Sequence, residues 1–196
     1  MRFRHNVVLA AAAMLWLAAP ARADELEDRV IALLEAGADT PVPKARYLAL
    51  GEEAETALIA CYQNTALPRY VRLRALSVLG AFPGERSRNF FLSLLESYRK
   101  QRGRGANDLL HPSRSSLVVR RALRALIAQH AQVSFEHARA CIGHADAKVR
   151  RTAVLLIANS PEARVRQLLL DQKTRDPSAL VRRSIDRALR DRSAQP

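Results

Sequence analysis

The side chains best suited to chemistry beyond residue 23 are four histidines, two cysteines and a large excess of arginine. His137, Cys141 and His144 present two imidazoles and a thiol at helical spacing, the ligand types a transition metal prefers. Glu136 is the one carboxylate close by in sequence, and His144 follows Gly143, beyond the expected helix end, where an imidazole bonds free carbonyls. The trio therefore reads as a helix-end histidine and a buried thiol, and no metal is assigned. His111 and His130 have no such neighbours. No Gly-x-Ser-x-Gly elbow accompanies the serines. Gly103-Arg-Gly105 lacks both the further glycine and the strand-to-helix context of a phosphate cradle. The acidic clusters Asp24-Glu25-Glu27-Asp28 and Glu52-Glu53-Glu55 fall at expected helix starts, where negative charge meets the positive end of the helix dipole. No catalytic set emerges and no cofactor is expected, so the chain reads as non-enzymatic.

Arginine is different, because it recurs in register. Val71-Arg72, Val119-Arg120, Val149-Arg150 and Val181-Arg182 each open an apolar helical stretch. Counting the valine as zero, positions plus four, plus seven and plus eight hold Ala75, Val78 and Leu79; Leu123, Leu126 and Ile127; Ala153, Leu156 and Ile157; and Ile185, Ala188 and Leu189. Arg72, Arg120, Arg150 and Arg182 share one template position. Stacking would align them as a structural ladder bonding loop carbonyls or caps such as Asp146. A second set, Arg121, Arg151 and Arg183 with Arg124, Arg187 and Arg190, points away from the apolar stripe and forms the candidate binding surface. Asp186 interrupts it, pairing with Arg182, Arg183 or Arg190.

The elements that must carry these side chains follow from the period. The valines lie 48, 30 and 32 residues apart, the range of stacked helical repeats. A fifth, atypical copy starts at Val42, with Ala49, Leu50 and Gly51 at the template positions and Pro43 replacing the arginine, as suits a capping repeat. Three residues before the zero positions stand Asp39, Pro68, Ser116, Asp146 and Ser178, four N-cap types and a first-turn proline. Partner helices are predicted at 26–36, 53–63, 87–100, 135–142 and 162–172. The expected fold is all-α, an α-α superhelix of about five antiparallel helix pairs. The long first interval holds an insertion at 101–114, flexible or functional, with glycines at 103 and 105 and a proline at 112.

Asp146-Ala-Lys-Val149-Arg150-Arg151-Thr-Ala153 and Ser178-Ala-Leu-Val181-Arg182-Arg183, with Val71-Arg72-Leu-Arg-Ala75-Leu76 and Val119-Arg120-Arg121-Ala122-Leu123 as looser copies, resemble the HEAT repeat family. The similarity is greatest to the short bacterial HEAT-like repeats also found in bilin lyases. The resemblance implies a superhelix with second helices lining its concave side, and binding or scaffolding in place of a particular reaction.

Residues 1–23 read as a secretory signal: Arg2 and Arg4, an apolar run over 7–19, and Ala21-Arg22-Ala23 before Asp24. That leaves one repeat domain at 24–196, expected in the periplasm or outside the cell, with no transmembrane segment after cleavage. Charge is uneven. Residues 24–99 carry 9 basic and 11 acidic side chains, whereas 100–196 carry 20 and 8. The leading expectation is a scaffold that uses a basic C-terminal concave face to hold a protein partner, acidic by charge complementarity. Export argues against genomic DNA. A structural or assembly factor working through the 101–114 loop is the alternative, and a lyase-like HEAT enzyme the third reading. Cys61 and Cys141, on the second and fourth helix pairs with one whole pair between them, are expected to stay unpaired, since neighbouring helices already pack ~8–10 Å apart and a disulfide reaches only about 7 Å.

Overall fold

In the computed structural model, the structure describes residues 24–36, 44–101, 116–129, 135–158, 160 and 162–193, and these are helical with no strand among them. The first helix, α1, runs over 24–35. It is followed by α2 (Lys44–Leu48), α3 (Glu53–Gln63), α4 (Arg69–Leu79), α5 (Glu85–Gln101), α6 (Ser116–Ala128), α7 (Phe135–Ile142), α8 (Ala147–Ile157), α9 (Arg164–Arg175) and α10 (Ala179–Ser193). The expected signal at 1–23, residues 102–114 of the insertion, Val42, Asp39, His111 and His130 lie outside the described residues. Two compact units divide after Val78, near the end of α4.

In the first unit the core is built from one stripe per helix. Val30 and Leu34 of α1, Ala54, Leu58 and Cys61 of α3, and Val71, Ala75 and Val78 of α4 are buried at spacings of three and four. The fifth template copy is corrected here. Ala49 is exposed and Leu50 only half-buried, and α2 is a five-residue helix whose buried side chain is Tyr47. The reason is local: Gly51 adopts a positive φ of 80° and its amide bonds Leu48 O, closing the helix before the template stripe is complete. Glu52 makes no side-chain cap at the start of α3.

The second unit stacks its helices in two rows. α6, α8 and α10 pack side by side, as do α5, α7 and α9, while α5 packs on α6, α7 on α8 and α9 on α10. All four zero valines are buried, and so are Leu123, Leu126, Ala153, Ile157, Ile185 and Ala188 of the repeated stripe. Each such valine, leucine or isoleucine contributes roughly 1.5–3 kcal/mol when fully buried, so the stripe decides which way each helix faces. Phe91, Leu95 and Tyr98 do the same for α5. Turns are tied by side chains: Gln129 Nε2 donates to Phe82 O at 2.7 Å, and the Ser87 hydroxyl sits 2.8 Å from the same carbonyl.

Start signals hold unevenly. Asp146 caps α8, its carboxylate accepting from the Lys148 amide at 2.7 Å, and Ser178 and Pro68 directly precede α10 and α4. Ser116 is instead the first residue inside α6.

Candidate functional site

Between α6 and α8, with one residue of α10 on its lining, lies a groove of about 470 Å³ lined by Arg120, Arg124, Ile127, Lys148, Arg151, Thr152, Leu155 and Leu180. The α8 contribution follows from spacing, since Lys148, Arg151, Thr152 and Leu155 fall three, four and seven residues along one face. The opposite face is anchored by buried Val149, Ala153 and Ile157, so the groove side cannot turn away from solvent. Arg124, Lys148 and Arg151 are exposed and Arg120 is half-buried. Leu155 and Leu180 remain 43% and 37% exposed, large aliphatics left uncovered beside a row of cations.

Among the described residues, no carboxylate lines this groove. The Arg120, Arg124, Lys148 and Arg151 side chains form no hydrogen bond or ion pair among the described residues. Asp146 is the nearby counter-charge and is already engaged. Burial pushes its carboxyl up, but the Lys148 and Val149 amides, with His144 and Arg120, hold it below the ordinary value.

Arg120 owes its availability to a difference between two otherwise equivalent turns. Arg150, at the same template position, is buried: Nε and Nη2 reach Asp176 Oδ2 and Oδ1 at 2.8 Å each, and Nη1 donates to His144 O and Ala145 O at 2.9 and 2.6 Å. Asp176 stands five residues before Val181, and His144 stands five before Val149. Both residues accept an amide two positions on, Asp176 Oδ1 from Ser178 N and His144 Nδ1 from Asp146 N, each at 2.9 Å. Both carbonyls accept the arginine of the following helix, Asp176 O from Arg182 at 2.7 Å and His144 O from Arg150. Asp176 has a second oxygen and a charge to receive an arginine from the preceding second helix. His144 has neither, and its ring lies against Tyr98 with centroids 5.3 Å apart. Burial alone would push the Asp176 carboxyl up; Arg150, Gln172 and the Ser178 amide override it and hold it at about 2.

The ladder arginines thus divide. Arg72 donates to Tyr62 O at 2.9 Å and lies over the Tyr62 ring, Arg150 and Arg182 tie turns, and Arg120 lines the groove. Asp146 accepts no ladder hydrogen bond, and the acid that does is Asp176. Of the candidate binding set, the groove gathers Arg124 and Arg151. Arg183, Arg187 and Arg190 are exposed on α10 outside it, Arg187 beside Asp191 at 3.8 Å. Arg121 departs from its expected exposure: it is half-buried, its Nη1 is enclosed without a partner, and burial, then Arg120 and Arg124, lowers its pKa. Asp186 pairs with Lys173 of α9 at 2.6 Å, not with an arginine of its own helix. Sequence reasoning missed Lys148, Thr152, Ile127, Leu155 and Leu180 as groove residues. One signal was present. Leu155 is six residues past the zero valine, ~240° round the helix at ~100° per residue, where a surface helix is ordinarily polar.

No group of three or more His, Cys, Asp or Glu side chains able to hold a metal occurs among the described residues. His137 faces Glu96 across 2.9 Å, a carboxylate from α5 that sequence proximity did not reveal. Cys61 and Cys141 are buried thiols with no disulfide between them, and burial, helped by Glu27, pushes the Cys61 thiol up to about 12. No helix among the described residues is long and apolar enough to cross a membrane. Comparison with known protein families, curated proteins and solved structures finds no match for this chain.

Proposed function

We propose that this chain is an exported, non-enzymatic binding module, a HEAT-like solenoid that holds an acidic partner protein on the face formed by α6, α8 and α10. The observation that carries the reading is the groove, with four cations whose side chains make no hydrogen bond or ion pair, and no carboxylate on its lining, among the described residues. Cations without such bonds beside exposed aliphatics have more to gain from an acidic partner than from water alone. The side-by-side packing of alternate helices in the second unit supports the solenoid, because each pair buries its apolar stripe only against its neighbours. The +12 balance of residues 100–196 supports the sign of the partner.

The test is retention of envelope proteins at rising salt by the wild type and two triple variants. Changing Arg124, Arg151 and Arg183 together to Glu is expected to abolish retention while leaving the helical spectrum unchanged. The same reversal at Arg29, Arg46 and Arg86 is expected to leave retention intact. Equal retention by both variants rejects the basic face. N-terminal mass analysis addresses export, with Asp24 as the expected first residue and an intact Met1 in envelope fractions rejecting it.

A further inference from the structure

Resting on that reading, we infer that the α6–α8 groove takes a peptide segment in which an aliphatic side chain is flanked by carboxylates, and so selects among polyanions. Its cations and its apolar surface are segregated along each helix. Arg120 and Arg124 precede Ile127 on α6, and Lys148 and Arg151 precede Leu155 on α8; Leu180, in the first turn of α10, adds a third aliphatic to the lining. Seven residues separate Arg120 from Ile127 and Lys148 from Leu155, about 10 Å at 1.5 Å per residue. About three extended residues, or two helical turns, span that length.

A ligand of charge alone would satisfy the cations and leave Ile127, Leu155 and Leu180 in water. One with an aliphatic side chain covers them as well. Carboxylates suit the charged part better than a single phosphate, because the cations are spread over two helices and a peptide carries several singly charged groups along its length; of the three arginines on the lining, Arg124 and Arg151 are exposed and Arg120 is half-buried. A lipid suits the apolar part less, because Leu155 and Leu180 stand exposed among cations and an acyl chain laid over them would stay largely wet. Peptide is the chemistry that fits both ends at this length.

Fluorescence anisotropy of the full mature chain with dye-labelled Gly-Ser-flanked peptides tests this. The probes are Glu-Asp-Leu-Glu-Asp, its Leu→Ser form, and its fully amidated Gln-Asn-Leu-Gln-Asn form, with phosphatidylglycerol vesicles as a fourth arm. The expected result is binding of the first peptide, about tenfold weakening on loss of the leucine as its burial is forfeited, and no binding of the amidated form. Arg124→Glu with Arg151→Glu should abolish binding and Leu155→Asp should weaken it about tenfold, whereas Arg183→Glu with Arg190→Glu should leave it unchanged; circular dichroism verifies that each variant folds. Equal binding of the leucine and serine peptides, or loss only in the α10 variant, overturns the groove assignment while leaving the basic face in place. Vesicle binding that the peptide does not compete overturns it in favour of a lipid surface. Failure of every acidic peptide to bind overturns both the groove and the acidic-partner reading.

Discussion

The two junctions made by α8 use the same template and reach opposite outcomes. Against α10, the arginine after the zero valine is buried and clasps a carboxylate with both arms of its guanidinium. Against α6, the equivalent arginine makes no hydrogen bond or ion pair among the described residues and lines an open groove. The turns that follow share an amide hydrogen bond and a carbonyl staple, so the divergence comes down to one side chain, Asp176 against His144. A repeat position therefore has no fixed role. Whether its arginine is structural or available depends on the residue that the next turn offers it.

The largest effect is expected at the closed junction. Asp176→Ala leaves Arg150 buried beside its two carbonyls without its ion-pair partner, with only the weaker influence of Asp146 remaining, and should cost about 3–5 kcal/mol in urea unfolding. Arg120→Ala, the matching deletion at the open junction, should change stability by less than ~0.5 kcal/mol. Similar costs for the two would break the comparison.

Acid should expose the same asymmetry. Asp176 sits at about 2 in the folded chain, below the ~3.9 of an unfolded aspartate. A depressed carboxylate contributes its full stability above the unfolded value and loses it as pH falls through the folded value. The contribution should therefore drain away between about pH 4 and about pH 2. Asp176→Asn should flatten that part of the stability-against-pH curve, and an unchanged curve would show that the carboxylate has no linked role.

A gain of function sharpens the comparison further. His144→Asp supplies the open junction with the carboxylate that the closed one has, and an aspartate there can keep the amide bond to residue 146. A double-mutant cycle with Arg120→Ala should then show a coupling of about 0.5–3 kcal/mol that the wild-type histidine lacks, partly offset by the lost ring contact with Tyr98. Zero coupling would mean that the two turns are equivalent in sequence register only. The smallest effect belongs to Arg124→Glu and Arg151→Glu, which should each shift stability by less than ~0.5 kcal/mol because both are exposed and unpaired.

The sequence alone determined the helical character and most of the register. Apolar residues at three- and four-residue intervals have one way to be buried together, which is why Glu53–Gln63 and Phe135–Ile142 fall where periodicity places them and why all four zero valines are in the core. It failed at Ala49 and Leu50, where a template match without enough apolar surface lost to the positive φ of Gly51. It did not resolve the arginines. Arg120 and Arg150 are identical in type, position and flanking pattern, and local spacing carries no information about a side chain 26 residues further on. Only the packing of α8 beside α10 brings Asp176 to Arg150. Likewise, only the approach of α6 to α8 turns Leu155, an aliphatic off its helix's stripe, from an isolated surface residue into part of a cation-lined groove. Burial periodicity is a property of one helix, whereas ion pairing and grooves are properties of two.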